Sequence, residues 1–236
     1  RLYSNIFQYM AGNIKNIDSN YWNYSPQKVK ILNQNFPKMD IIQASKWILP
    51  KLTINLNKEE ATEDIMIMSG RRMVMIGKQK GGIEEIWTNP FMSFRDVETG
   101  ILLKNSDSVI WLKNLKPSIT SSPELFIREY EVGESIIKEI ITISLDKPVG
   151  VVHYEWEGQD VFKIYIKYTS NLRYMWPYSE KVTASVSYKW APEMNATISS
   201  GQSNNLVSIM GFSSKPEMFR LGQYDGFEFS NMIPIG

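Results

Sequence analysis

The chain reads as a mainly β protein, an antiparallel β-sandwich preceded by a partly helical N-terminal segment. Three observations lead there. Several consecutive runs between residues 126 and 190 alternate apolar with polar side chains. Short turn-like breaks separate those runs. Further β-rich runs lie upstream and can supply a second sheet. A strand turns successive side chains to opposite faces, so period-two alternation marks one buried face and one wetter face. A one-sided sheet needs a cover, and a second sheet provides it.

In chain order, residues 1–60 are rich in Asn, Lys and Ile and show little alternation. Ile6 to Ile17 and Lys28 to Asn35 read as short helices, the second entered at Ser25-Pro26, with Ser as N-cap and Pro at the first helical position. Asp40 to Leu49 is a third, stopped by Pro50. Asn55 to Asp64 is polar and reads as a loop. We therefore expect residues 1–60 to pack as a partly helical segment on a sandwich formed by residues 61–236.

From Ile65 the pattern changes. Ile65 to Ser69, Arg72 to Gln79, Ile83 to Trp87, Ile101 to Lys104 and Val109 to Lys113 are β-rich, broken by Gly81-Gly82 and by Asn105-Ser106-Asp107-Ser108. Farther on, Phe126, Tyr130 and Val132 share a face. Val152, Tyr154 and Trp156 oppose His153, Glu155 and Glu157. Phe162, Ile164, Ile166 and Tyr168 oppose Lys163, Tyr165 and Lys167. Val182, Ala184, Val186, Tyr188 and Trp190 oppose Thr183, Ser185, Ser187 and Lys189. Ile136 to Leu145 joins the series with weaker alternation. The intervening breaks, Gly133, Asp146 to Gly150 and Glu157 to Asp160, are short enough for neighbours to pair antiparallel. The expectation is one large sheet from these five strands.

Composition excludes several classes. With 236 residues, 43% of them hydrophobic, there is material for one substantial core. The net charge is +1, which offers no field for nucleic acid. Cysteine is absent, so disulfides and thiolate metal sites are ruled out. No run of roughly eighteen apolar residues could span a membrane. The chain opens on Arg1-Leu2-Tyr3, without a visible signal peptide, and stops at Pro234-Ile235-Gly236; both ends read as cuts in a longer protein.

Candidate chemistry is sparse. His153 is the only histidine, which removes a two-histidine zinc site and makes a Ser-His-Asp triad a poor fit. Beside it, Glu155 could complete an acid/base pair, or both could be residues of a solvated face. Glu84-Glu85 pairs two carboxylates, the equipment of glycoside hydrolysis, but neighbours on a regular strand point to opposite faces. In Trp87-Thr88-Asn89-Pro90-Phe91 with Arg95-Asp96, Trp87 could stack on a sugar ring while Asn89, Arg95 and Asp96 hold hydroxyls. The same string could equally be a buried corner pinned by Arg95 and Asp96. Trp156 and Trp190 fall on apolar faces and read as core. Trp176 and Tyr178 lie in the aromatic loop Tyr174-Met175-Trp176-Pro177-Tyr178, a candidate sugar platform or simply a packed loop. No catalytic residue, metal ligand or cofactor is assigned.

The string Lys78-Gln79-Lys80-Gly81-Gly82-Ile83-Glu84-Glu85-Ile86-Trp87-Thr88-Asn89-Pro90-Phe91, followed by Arg95-Asp96, resembles the N-terminal domain of bacterial glycogen-debranching-like and related six-hairpin glycosidases. There the phrase runs Gly, Glu-Glu-Ile-Trp, a His- or Asn-Pro, then Arg-Asp. The resemblance extends over residues 65–236 and leaves residues 1–60 uncovered. It implies a β-supersandwich related to galactose mutarotase, packed on an (α/α)6 barrel that carries the catalytic carboxylates. Twelve helices of about eleven residues each, plus loops, need more chain than is present, so that barrel is expected downstream.

Three functions follow as expectations. The first is a non-catalytic sandwich domain of a bacterial glycoside hydrolase, periplasmic or secreted, supporting the barrel and lining its sugar cleft. The second is a stand-alone carbohydrate-binding module with solvent-facing aromatics, Trp176 among them. The third is a mutarotase-like sugar epimerase using His153 and Glu155 within a concave pocket.

Overall fold

The computed structural model describes residues 52, 54–175, 186–201 and 206–219. The helix candidates at 6–17, 28–35 and 40–49 lie outside them. What is described is mainly antiparallel β, as the alternation predicts. The strands are β1 (Leu56–Lys58), β2 (Ile65–Ser69), β3 (Val74–Lys78), β4 (Ile83–Thr88), β5 (Phe91–Leu103), β6 (Ile110–Trp111), β7 (Ser118–Ser121), β8 (Phe126–Val132), β9 (Ser135–Ile143), β10 (Gly150–Glu157), β11 (Phe162–Tyr174), β12 (Val186–Ala191), β13 (Ala196–Gly201) and β14 (Val207–Gly211). Short 3-10 turns occupy Leu112–Asn114 and Pro192–Met194.

Two sheets face each other. The first runs β1-β7-β8-β9-β10, and the second runs β11-β5-β4-β3-β2, with β6 added to β5 beyond the end of β4. A third, β12-β13-β14, leans on β11. Met66, Met68, Met75, Ile86 and Phe94 from the second sheet meet Ile119, Phe126 and Ile141 from the first in one core cluster. A smaller cluster holds Ile101, Leu112, Tyr130, Val132 and Ile137. The third sheet joins the core through Met210 and through Ser199, whose hydroxyl lies 2.6 Å from that of Ser170 on β11.

The expected five-strand sheet does not form. β8, β9 and β10 do pair in sequence, but β11 crosses to the second sheet and pairs with β5, and β12 belongs to the third. The cause lies in the break between β10 and β11. Gly158 there has φ +140, and a Cβ on it would fall 2.7 Å from the Ser135 Cα. The carboxylate of Asp160 accepts the Ser135 hydroxyl and the Glu134 N–H, both at 2.9 Å. These bonds fold the connection back over the β8–β9 turn, so the chain leaves the first sheet instead of reversing within it. That β8–β9 turn is a true two-residue hairpin, Gly133-Glu134, with Gly133 at φ +63 in its first position.

Several local readings are also corrected. The loop expected over 55–64 contains β1, which pairs with β7. The strand expected at 101–104 is the end of the thirteen-residue β5. Trp156 is not core: it is 57% exposed at the sheet end, its ring edge-on to Phe162. Ile164, assigned to an apolar face, is exposed as well. Trp190 is half-buried and stacks on Phe219 at 4.4 Å between ring centroids.

Candidate functional site

The alternation of the second sheet is interrupted midway. The β3–β4 register shifts between Ile76 and Gly77, and the β5–β11 register shifts between Lys167 and Thr169. Asp96 sits at the second irregularity with φ +52, a left-handed conformation unusual for a residue with a side chain. Such bulges reset which side chains face inward. Ile83 and Ile86 are consequently both core, as are Phe94 and Val97 opposite them. The pairs between them, Glu84-Glu85 and Arg95-Asp96, are left out of the core. The two glutamates thus do not alternate as on a regular strand.

One outer face therefore collects most of the resemblance string. Across it, Ile67, Ile76, Glu85, Arg95 and Thr169 stand in register on β2, β3, β4, β5 and β11. Arg95 Nε donates to Asp96 Oδ2 at 2.7 Å, and both side chains are about half exposed. They form a surface ion pair and pin no buried corner. Trp87 Nε1 donates to Glu85 Oε2 at 2.6 Å, and the Arg173 guanidinium lies 5.3 Å above its ring. With only 8% of Trp87 exposed, its ring presents no open face to a sugar. Asn89 is exposed at the β4–β5 turn, where the Asn89-Pro90 peptide is cis. The Met175 N–H bonds to the Pro90 carbonyl at 2.8 Å, which brings the start of the aromatic loop to this turn. Trp176 and Tyr178 themselves lie outside the described residues.

His153 and Glu155 stand elsewhere, on the outer face of the first sheet. In that face Asn57, Thr120, Ile127, Ile140 and His153 form a cross-strand row. His153 Nε2 is 3.4 Å from Glu155 Oε1. Lys138 lies 3.9 Å from Glu129 and 3.8 Å from Glu157 in the adjoining rows. This pair stands on the opposite side of the sandwich from Asn89, Arg95 and Asp96, so the described candidates do not gather in one site. A groove of about 440 Å3 is lined by Leu56, Ile65, Ile67 and Phe126, away from His153.

Sequence reasoning passed over the most connected buried polar group among the described residues. Arg128 has the same strand parity as Phe126 and Tyr130, and it is fully buried between the sheets. It pairs directly across strands with Glu139, itself buried among Ile137 and Ile141. The Arg128 guanidinium donates to Glu139 and to carbonyls of the β3–β4 turn: Lys78, Gln79 at 3.0 Å and Gly82 at 3.1 Å. The Tyr130 hydroxyl reaches the Lys80 carbonyl at 3.2 Å. The Tyr154 hydroxyl donates to Glu139 at 3.0 Å, so its lone pair is open to Thr99, 2.6 Å away.

The electrostatics follow from that closure. Burial opposes the Arg128 charge, but the Glu139 carboxylate and the two tyrosine oxygens outweigh it and raise its pKa. Burial, reinforced by the Glu139 charge, pushes the Tyr130 and Tyr154 hydroxyls well above their ordinary values. This is a closed network that fastens the β3–β4 turn to the first sheet, with no solvent access for a substrate. The legible signal was parity: a charged residue on the apolar face of each of two adjacent strands.

Among the described residues no cluster of three His, Asp or Glu side chains could hold a metal ion, and no helix is long and apolar enough to cross a membrane. Compared with family models, with curated proteins and with solved structures, the chain matches none.

Proposed function

We propose that this chain is a non-catalytic sandwich unit of a bacterial, exported glycoside hydrolase. In this reading it supports an (α/α)6 barrel supplied downstream and presents the outer face of the second sheet to that barrel and its sugar cleft. One observation carries the reading: the polar residues of the string that resembles the glycosidase N-terminal domain lie outside the core, while its Ile83, Ile86 and Trp87 are buried beneath them. Those polar residues are Glu84, Glu85, Asn89, Arg95 and Asp96, and Trp87 stiffens the face from below. A face of exposed, paired ions suits docking and hydroxyl recognition. It lacks the enclosed carboxylate pair that bond cleavage requires.

The downstream coding sequence tests this first. Helical hairpins with acidic residues at their loops are the expected finding, and a stop codon shortly after Gly236 ends the proposal. In the whole enzyme, Arg95→Ala with Asp96→Ala should lower glycan turnover at least several-fold without unfolding the sandwich. A binding-module reading instead requires glycan affinity in the 236-residue chain alone, abolished by Trp176→Ala.

A further inference from the structure

Four of the chain's 12 methionines fall within ten residues, as two Met-x-Met pairs: Met66 with Met68 on β2, and Met73 with Met75 at the entry to β3. Cysteine is absent, so thioethers are the chain's only sulfur donors. Members of such a pair share one strand face. The β2–β3 register sets Met68 directly opposite Met75, where Cβ atoms on one face stand about 4.5–5.5 Å apart. Met66, Met68 and Met75 are buried in the core, and Met73 packs against them half-buried.

Two of these arms converge on Gly150, the first residue of β10. A Cβ built there would lie 3.5 Å from the Met73 Sδ and 3.5 Å from the Met75 Sδ, and would collide with the Met75 Cε. Two sulfurs from one sheet therefore flank a single point on the backbone of the other, and the glycine leaves room for them. Gly150 is half-buried like Met73, so this point lies at the margin between core and solvent. The end of the sandwich is fixed around it. The Arg71 N–H bonds to the Leu145 carbonyl at 2.8 Å, and the Arg71 guanidinium pairs with Asp146 at 2.7 Å. Those contacts tie the β2–β3 turn, which carries Met73, to the β9–β10 turn, which leads into Gly150.

We propose that Met68, Met73 and Met75 form a binding site for cuprous ion. Methionine also serves as an adaptable core filler, but packing asks only for volume. It does not ask for two sulfurs at one point beside a glycine. Soft thioethers select Cu(I) over the hard cations that prefer oxygen. A thioether has no proton to lose, so binding displaces none, whereas a histidine or carboxylate site weakens in acid. This inference is independent of the glycosidase reading and survives its failure.

The full chain, kept anaerobic with ascorbate, is titrated against the Cu(I) complex of a chromophoric chelator such as bicinchoninate. The natural chain should withdraw one equivalent of Cu(I), and Zn(II) in excess should not displace it. After correction for the chelator's own protonation, the affinity should hold within about twofold between pH 8 and pH 5.5. Met73→Leu changes a half-buried side chain at nearly constant volume and should weaken binding by roughly tenfold or more. Met73→Leu with Met75→Leu should abolish it, with the circular dichroism spectrum unchanged. Met194→Leu with Met218→Leu, distant in the fold, should bind as the natural chain does. Failure of the natural chain to compete with the chelator overturns the proposal. So does undiminished binding by the Met73 and Met75 variants, which would leave these methionines as packing alone, or a steep loss of affinity in acid, which would assign the ion to His153 or to carboxylates.

Discussion

Arg128 and Glu139 stand directly opposite each other on β8 and β9, and both side chains are buried. They are joined by one hairpin, and Arg128 reaches the other sheet directly through the carbonyls of the β3–β4 turn, whereas Glu139 accepts from Tyr154 of its own sheet, whose hydroxyl in turn meets Thr99 of the other. The pair is therefore a buried ionic bolt between the two sheets.

Removing one half of a buried ion pair leaves the other charge uncompensated. Glu139→Leu should cost about 3–5 kcal/mol, read as a fall in the urea midpoint. Arg128→Met with Glu139→Leu should cost less than the two single changes summed. It should not return to natural stability, because the Gln79 and Gly82 carbonyls lose their donor.

The tyrosines give the fold an alkaline limit. Tyr130 and Tyr154 titrate well above 10 when folded and near 10 when unfolded. A raised folded pKa means that the unfolded chain loses its protons first. The stabilisation is therefore complete below pH about 10 and is lost as pH rises toward the folded values. The urea midpoint should hold steady across the neutral range and fall above that point. Tyr154→Phe should flatten this alkaline slope, and an unchanged slope would count against the network.

The crossover depends on Gly158. Gly158→Ala must place a Cβ 2.7 Å from the Ser135 backbone at φ +140, and should cost about 1–3 kcal/mol. Gly211→Ala meets only the Ala196 Cβ at an ordinary 3.7 Å and should change stability by less than about 0.5 kcal/mol. Thermal melts of the two variants compare them directly.

Exposed ion pairs contribute little to folding. Arg95→Ala should lower stability by no more than about 1 kcal/mol, because its partner Asp96 is open to water. The circular dichroism spectrum and melting temperature should stay close to those of the natural chain. On the glycosidase reading, a loss of turnover in the parent protein would then report on the outer face and not on misfolding.

Alternation along the chain was sufficient to recognise antiparallel strands, their approximate positions and the existence of a second sheet, because the inward and outward environments of a strand repeat at every second residue. Phe126, Tyr130 and Val132 read correctly for that reason. The same rule failed where the backbone departed from regularity. At Asp96 a bulge resets inward and outward, which no periodicity across Phe94 and Val97 announces. Which strand pairs with which was settled only in three dimensions, since the break at 157–160 looks like any other turn until Asp160 binds Ser135. Trp156 has the parity of a core residue but sits where the sheet ends. Arg128 and Glu139 are tolerable inside only because donors and acceptors from two sheets meet there, and that meeting is a property of packing, not of any local stretch of sequence.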